Sequence, residues 1–463
     1  YNLINNLDSV YESVDVSSIS FEKESVEWGL QDTIYSYSNV IVTPDNASNK
    51  SITYESSDES IVSYNATGRV KVYATGTATI TATSINGKTA TMKVNVVEGN
   101  GADSSNLIGT TVDDIIDDNF EYRLLENGTI EITKYIGSDT RVTIPSYIGG
   151  LRVTSIGSSA FQGCTTITDI VIPGNVAGIG YRAFYNCTSL KNVEIQDGVT
   201  SIGQEAFRYC YSLANITIPD TVSQINQYAF SNCTSLKTLR LPAGINTLSS
   251  YLFSDCTSLT EITLPENITS ISDHAFCNCK SLKSIHIPSN INKIDGAAFA
   301  NCENLRTLTI DEGVTYIGSG VFSNCTGLTE VILPDSLTNV EGSAFSNCTS
   351  LRKVKLSNEM TRLNNLMFSY CTSLTEIDIP ESVTSIGDDA FNGCTSLKTV
   401  KISNEVTSIG SSAFQGCAAM TNIVIPGNVA SIGYRAFYNC TSLKNVEIQD
   451  GVTSIGQEAF RYC

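Results

Sequence analysis

From Cys164 to Cys463 the apolar positions recur at one spacing. Counting from each cysteine, an apolar side chain stands at +3, +6 and +8: Leu190, Val193 and Ile195 follow Cys187, and Leu374, Ile377 and Ile379 follow Cys371. The alternation at the end of that run predicts a short strand with one buried face. Proline occupies +9 in eight of thirteen units, Pro219, Pro265 and Pro334 among them. Lacking an N–H, it cannot continue a ladder and marks the strand exit. Apolar residues at +12 and +15, such as Val383 and Ile386, are often followed by glycine. They predict a second extended segment and a turn.

The cysteines fall at 164, 187, 210, 233, 256, 279, 302, 325, 348, 371, 394, 417, 440 and 463, thirteen intervals of 23 residues without a slip. A fixed period in the range of roughly 20–29 residues is the signature of a leucine-rich repeat solenoid, in which each unit buries its apolar face only against its neighbours. The expected fold over 154–463 is therefore a β-rich solenoid of about 14 units. Phenylalanine stands three residues before every cysteine, at Phe161, Phe184, Phe207, Phe230, Phe253, Phe276, Phe299, Phe322, Phe345, Phe368, Phe391, Phe414, Phe437 and Phe460. Such a column reads as a stacked core spine, worth roughly 2 kcal/mol or more of burial per ring.

Residues 16–98 have another texture, with none of the 23-residue pattern. Alternating runs (16–21, 33–42, 51–54, 69–73, 77–83 and 89–97) separated by polar turns predict an Ig-sized β-sandwich. Before it, 1–15 form an N-terminal tail. After it, 99–118 are rich in Gly, Ser and Asp and read as a linker. Asp113, Asp114, Asp117 and Asp118 there suit either a solvated linker, the commoner case, or a calcium site at the domain junction. Over 119–153 a hairpin is expected around Asn127-Gly128, followed by an irregular first repeat that caps the array.

The run from VSSISFEKESVEW to GTATITATS and on to VNVV resembles the group 2 bacterial Ig-like domain, which implies a spacer or adhesive module without catalytic residues. The repeat CTSLxxVxIPxxVTSIGxxAFxxC is similar to that of BspA-like leucine-rich surface proteins over roughly 140–463. Departures are local: Leu252 and Met367 replace the alanine before Phe, and Gln, Asp or Ser replaces Pro in five units. That resemblance implies an extracellular protein at the bacterial cell surface, in some members an adhesin. It carries no portable list of binding residues.

Residues 154–210 and 407–463 are near copies, differing at five of 57 positions at an offset of 253 residues, or eleven units. This points to block duplication. With its last residue on a repeat cysteine, the natural protein is expected to continue past Cys463. Residue 1 is Tyr, and no apolar run is long enough to span a membrane.

A net charge of −19 with a pI near 4.5 argues against nucleic acid as partner. Yet the strand region carries a basic column. At +4 stand Lys191, Lys237, Lys283, Arg306, Arg352, Lys398 and Lys444, and at +7 Arg240, His286, Lys355 and Lys401, mixed with Glu194, Asp378 and Glu447. Asp197, Asp220, Glu266, Glu312, Asp335, Glu381 and Asp450 follow at +10. A basic and an acidic column are thus expected side by side on the concave sheet. They form either a docking surface for a protein or charge pairs that serve solubility. Tyr181, Tyr228, Tyr251 and Tyr434 fall in the turns, where a glycan would stack.

The column cysteines are expected as buried free thiols, since parallel Cβ vectors disfavour bridging. Cys277, off the column, is expected to be exposed. A metal site at Cys277-x-Cys279 with His274 has weak support. With two histidines and no nucleophile elbow, P-loop or dinucleotide fingerprint, catalysis has no foothold. No cofactor or metal is expected. The reading is a non-catalytic, monomeric binding protein, an adhesin for a host extracellular or cell-surface protein or glycoprotein. A display stalk and a carbohydrate-binding accessory are the alternatives.

Overall fold

The computed structural model describes residues 14–29, 34–36, 40–64, 69–98, 119–148 and 151–463, and among them it contains strands and turns but no helix. The linker 99–118, with Asp113, Asp114, Asp117 and Asp118, and residues 1–13 lie outside the described residues. The chain divides into two compact units, residues 1–132 with 145–154 and residues 133–144 with 155–463.

The N-terminal module is built of β1 (Ser18–Phe21), β2 (Ser25–Gly29), β3 (Ile34–Ser36), β4 (Val40–Thr43), β5 (Ile52–Ser56), β6 (Val62–Tyr64), β7 (Arg69–Val72), β8 (Gly76–Ser84) and β9 (Thr89–Val97). A sheet in the order β2-β9-β8-β5 faces one in the order β3-β7-β6. Between them lies a core of Val26, Trp28, Val62, Val70, Val72, Ile80, Met92 and Val94. Three details differ from the sequence reading. The run 33–42 is two strands rather than one, β3 pairing with β7 and β4 with β1. And β2 and β6 lie outside the runs read from the sequence, β2 burying the sole tryptophan completely.

In the second unit every repeat contributes two strands. The longer ones, such as Asn192–Ile195, form a front sheet. The two-residue ones at +14 and +15, such as Ser201–Ile202, form a rear ladder. Where strands of neighbouring units pair, they do so in parallel at an offset of 23, as Val193 with Ile216 and Ile202 with Ile225. Residues at +6 and +8 point into the core: Ile285 and Ile287 are 3% and 0% exposed. Thirteen rings from Phe161 to Phe437 are fully buried, Phe460 is half-buried, and successive rings stack at 4.7–5.7 Å. Tyr135 continues the stack beyond Phe161 at 5.3 Å.

The third side is a turn whose geometry the apolar pattern does not announce. In all fourteen units the residues five and one before the cysteine have left-handed φ, as Arg182 (53°) and Asn186 (58°) do. Asn, Asp or Gly fills the second of these in eleven units, which is the signal for such a conformation. Alternate N–H groups then reach the next unit, Arg182 to Gln204 (3.0 Å), Phe184 to Ala206 (2.8 Å) and Asn186 to Arg208 (2.8 Å). The turn is thus hydrogen-bonded from unit to unit, as the strands are.

The cysteine column fits this turn. Each Phe carbonyl accepts the N–H of its own unit's cysteine and the S–H of the next: Phe161 O takes Cys164 N at 3.1 Å and Cys187 Sγ at 3.0 Å. The S–H···O contact recurs to Cys463, for instance Cys325 to Phe299 at 3.3 Å. All fifteen cysteines are free thiols. Cys277, expected at the surface, is only 8% exposed. Small residues at its repeat position, Ser231, Ser254 and Ala300, are buried likewise, because a short side chain there tucks under the turn.

Candidate binding face

The front sheet presents +5 and +7 outward, and +4 stands at the strand entry. All eleven candidate cations, Lys191, Lys237, Arg240, Lys283, His286, Arg306, Arg352, Lys355, Lys398, Lys401 and Lys444, are exposed. The acidic column is not beside the +4 cations. Six residues separate +4 from +10, about 20 Å of extended chain, so the two columns occupy opposite edges of the sheet. Only +7 side chains bridge towards the acidic edge. Arg240 makes a two-pronged bond to Asp220 (3.0 and 2.9 Å), and His286 Nε2 lies 2.9 Å from Asp311. Among the described residues the other nine candidates form no ion pair.

Three of the seven acids have a different task. Asp220 accepts the Ala243 N–H (2.8 Å), Glu312 those of Asp335 (3.1 Å) and Ser336 (2.8 Å), and Asp335 that of Asn358 (3.0 Å). Each carboxylate caps the strand-exit turn of the following unit. Their pKa values are lowered accordingly: for Asp220 first by Arg240 and then by the amide, for Glu312 and Asp335 first by the amides. A residue-by-residue reading misses this because the donor lies a full unit away. The recurrence of acids at +10 was its available trace.

Across the middle of the front sheet runs a groove of about 1240 Å³, lined by Thr217, Thr238, Arg240, Glu261, Thr263 and His286 among others. Two of the eleven candidates line it. Its walls combine hydroxyls, the carboxylates of Glu261 and Glu266, two basic groups and apolar side chains such as Ile216 and Leu239, an arrangement suited to a partner of mixed polarity.

The tyrosines do not form an open platform. Tyr228 lies between the Arg208 guanidinium (4.6 Å) and Tyr251 (4.5 Å), and Tyr251 stacks on His274 (4.5 Å). Tyr181 and Tyr434 are about two-fifths exposed, each with an arginine over the ring. Nor do the atoms of the weak metal candidate converge. Cys279 donates to Phe253 O (3.2 Å), whereas His274 is held in the aromatic stack. Among the described residues no group of three or more His, Cys, Asp or Glu is placed to hold a metal ion, and no helix is long and apolar enough to cross a membrane.

A parallel two-ladder solenoid with a polar strand face, preceded by a β-sandwich, defines a leucine-rich repeat protein. The description "BspA type Leucine rich repeat region" matches residues 134–260, 246–375 and 366–463, and "Bacterial Ig-like domain (group 2)" matches 18–94. The chain belongs to the BspA-type leucine-rich repeat family. A leucine-rich repeat protein from Bacteroides ovatus is 33% identical over 76% of this chain and 92% of its own, with a TM-score of 0.70. A leucine-rich cell surface protein from Faecalibacterium prausnitzii is 33% identical over 72% of this chain and 94% of its own, with a TM-score of 0.48. A search among curated proteins finds no match. The family is one of repeat scaffolds of the kind that mediate protein interactions, and no enzyme family matches.

Proposed function

We propose that the chain is a non-catalytic binding protein of the bacterial cell surface, an adhesin that acts as a monomer and engages a host extracellular or cell-surface protein through the front sheet. The observation that carries this reading is the exposed basic set, nine of whose eleven members have no ionic partner among the described residues. Intramolecular charge pairing would have consumed these cations, and solubility at net charge −19 does not call for them. Unpaired charge on a sheet face favours electrostatic steering and partner choice. The similarity to a cell surface protein supports the extracellular location.

The test is a binding screen against matrix and cell-surface proteins at low and physiological salt. Charge reversal at Lys237, Lys283 and Arg306 should abolish a salt-sensitive, saturable hit. Silence across the panel, or binding indifferent to that reversal, would overturn the reading in favour of a display stalk.

A further inference from the structure

The solenoid core repeats every unit, but the basic surface repeats every second one. None of the thirteen residues at +4 is acidic, although the chain has 47 acids and 28 Lys and Arg. Its seven cations fall in two runs, Lys191, Lys237 and Lys283, then Arg306, Arg352, Lys398 and Lys444, each with a step of 46 residues. The units between carry Ala214, Thr260, Thr329, Thr375 and Thr421. With strands about 4.8 Å apart, a two-unit step is close to 10 Å. The cations therefore stand along one edge in two runs with a step near 10 Å inside each, Lys283 and Arg306 being a single unit apart, all exposed and none ion-paired among the described residues. The sheet positions +5 and +7 are of mixed sign, Asp169, Glu194, Glu261, Glu330, Glu376, Asp378 and Glu447 alternating with Arg240, His286, Lys353, Lys355 and Lys401, so the strand-entry edge is the column free of acids.

A regular row of single charges fits a regular linear polyanion. Duplex nucleic acid presents one charge per about 1.7 Å of axis, far denser than the row. A globular protein has no reason to repeat its acids at even steps. A sulfated polysaccharide with an anionic group on each disaccharide has the matching repeat, since an extended disaccharide is about as long as two strand spacings. We infer that the +4 row binds a sulfated glycosaminoglycan-type chain laid along the strand-entry edge, one disaccharide to every two repeats. This rests on the binding reading above and names the chemistry that the basic edge recognises.

Binding of the 463-residue chain to immobilised chondroitin sulfate, at salt between about 50 and 200 mM, tests it. Wild type should bind with steep salt dependence. R352Q/K398Q/K444Q should weaken binding at least about tenfold, the scale expected when several polyanion contacts are lost. K353Q, off the row and paired to Glu330, should leave it unchanged. The swap K398T/T421K keeps net charge but breaks the spacing, and should also weaken binding severalfold. All these positions are exposed, and circular dichroism checks the fold. Swap-variant binding equal to wild type, or duplex DNA binding as tight as the polysaccharide, would overturn the inference. Intact proteoglycan compared with its enzymatically stripped core protein separates the two claims. Salt-sensitive, row-dependent binding to the stripped core alone removes the glycan and keeps the surface-binding role, whereas no binding to either form removes both.

Discussion

A buried thiol that donates to a carbonyl costs little while it stays protonated and much once it ionises. Burial pushes the Cys256, Cys348 and Cys394 thiols from the usual 9.0 to about 12. Their contribution to stability is complete below the unfolded value near 9 and is lost as pH climbs from there towards 12. Each thiol contributes a slope of at most about 1.4 kcal/mol per pH unit, and twelve column cysteines are buried. The urea midpoint should therefore hold level to about pH 8.5 and then fall steeply; a level midpoint through about pH 10.5 would contradict it. At neutral pH, alkylation of the native chain should mark the exposed Cys463 first and leave the buried column untouched until unfolding. Residue-level strain makes the opposite kind of prediction. Leu366 sits at φ 60° and is 39% exposed, so Leu366→Asn should stabilise by about 1 kcal/mol, the usual cost of that conformation for a bulky residue.

At the scale of the element, neighbouring units touch through backbone in places where a side chain has no room. A Cβ on Gly433 would lie 2.4 Å from the Gly410 carbonyl carbon. Gly433→Ala should lower the thermal midpoint and cost about 1–3 kcal/mol by overpacking. The acidic turn caps predict a milder, pH-linked effect. Glu312→Ala removes the acceptor for the Asp335 and Ser336 amides and should lower the urea midpoint at pH 7, with Glu312→Gln retaining most of it. Because the amides hold the carboxyl pKa below its usual range, the difference between wild type and Glu312→Ala should shrink as pH falls through that range. The strand positions were legible in the sequence because apolar spacing reports them directly. The S–H···O column and the caps were not, since each depends on a partner one unit away, which spacing alone does not display; the left-handed turn left its trace in the Asn, Asp or Gly before the cysteine rather than in the apolar spacing. The same blindness placed the basic and acidic columns side by side, although the strand stands between the +4 cations at its entry and the acids past its exit.

For the whole molecule, stability is a sum over units and their interfaces. Phe322→Ala, in the middle of the ring column, should cost about 3–5 kcal/mol. Hydrogen exchange should show protection lost first in the units around 322 while those around 184 and 437 keep theirs; uniform loss would argue for a single cooperative block. The repeat array was plain from the cysteine interval, whereas the face proposed for binding rests on which exposed charges go unpaired among the described residues.

Lys283 and Arg306 occupy adjacent units, where elsewhere a neutral unit separates two basic ones. The interior has a period of one unit and the basic edge a period of two. Gain or loss of a single 23-residue unit is therefore silent to the packing, since every interface accepts every other. On the surface it leaves a phase slip, a defect that travels with the chain's history of copying. Arrays that change length by even numbers of units would keep the pattern intact, and those that change by odd numbers would carry a scar like the one at Arg306.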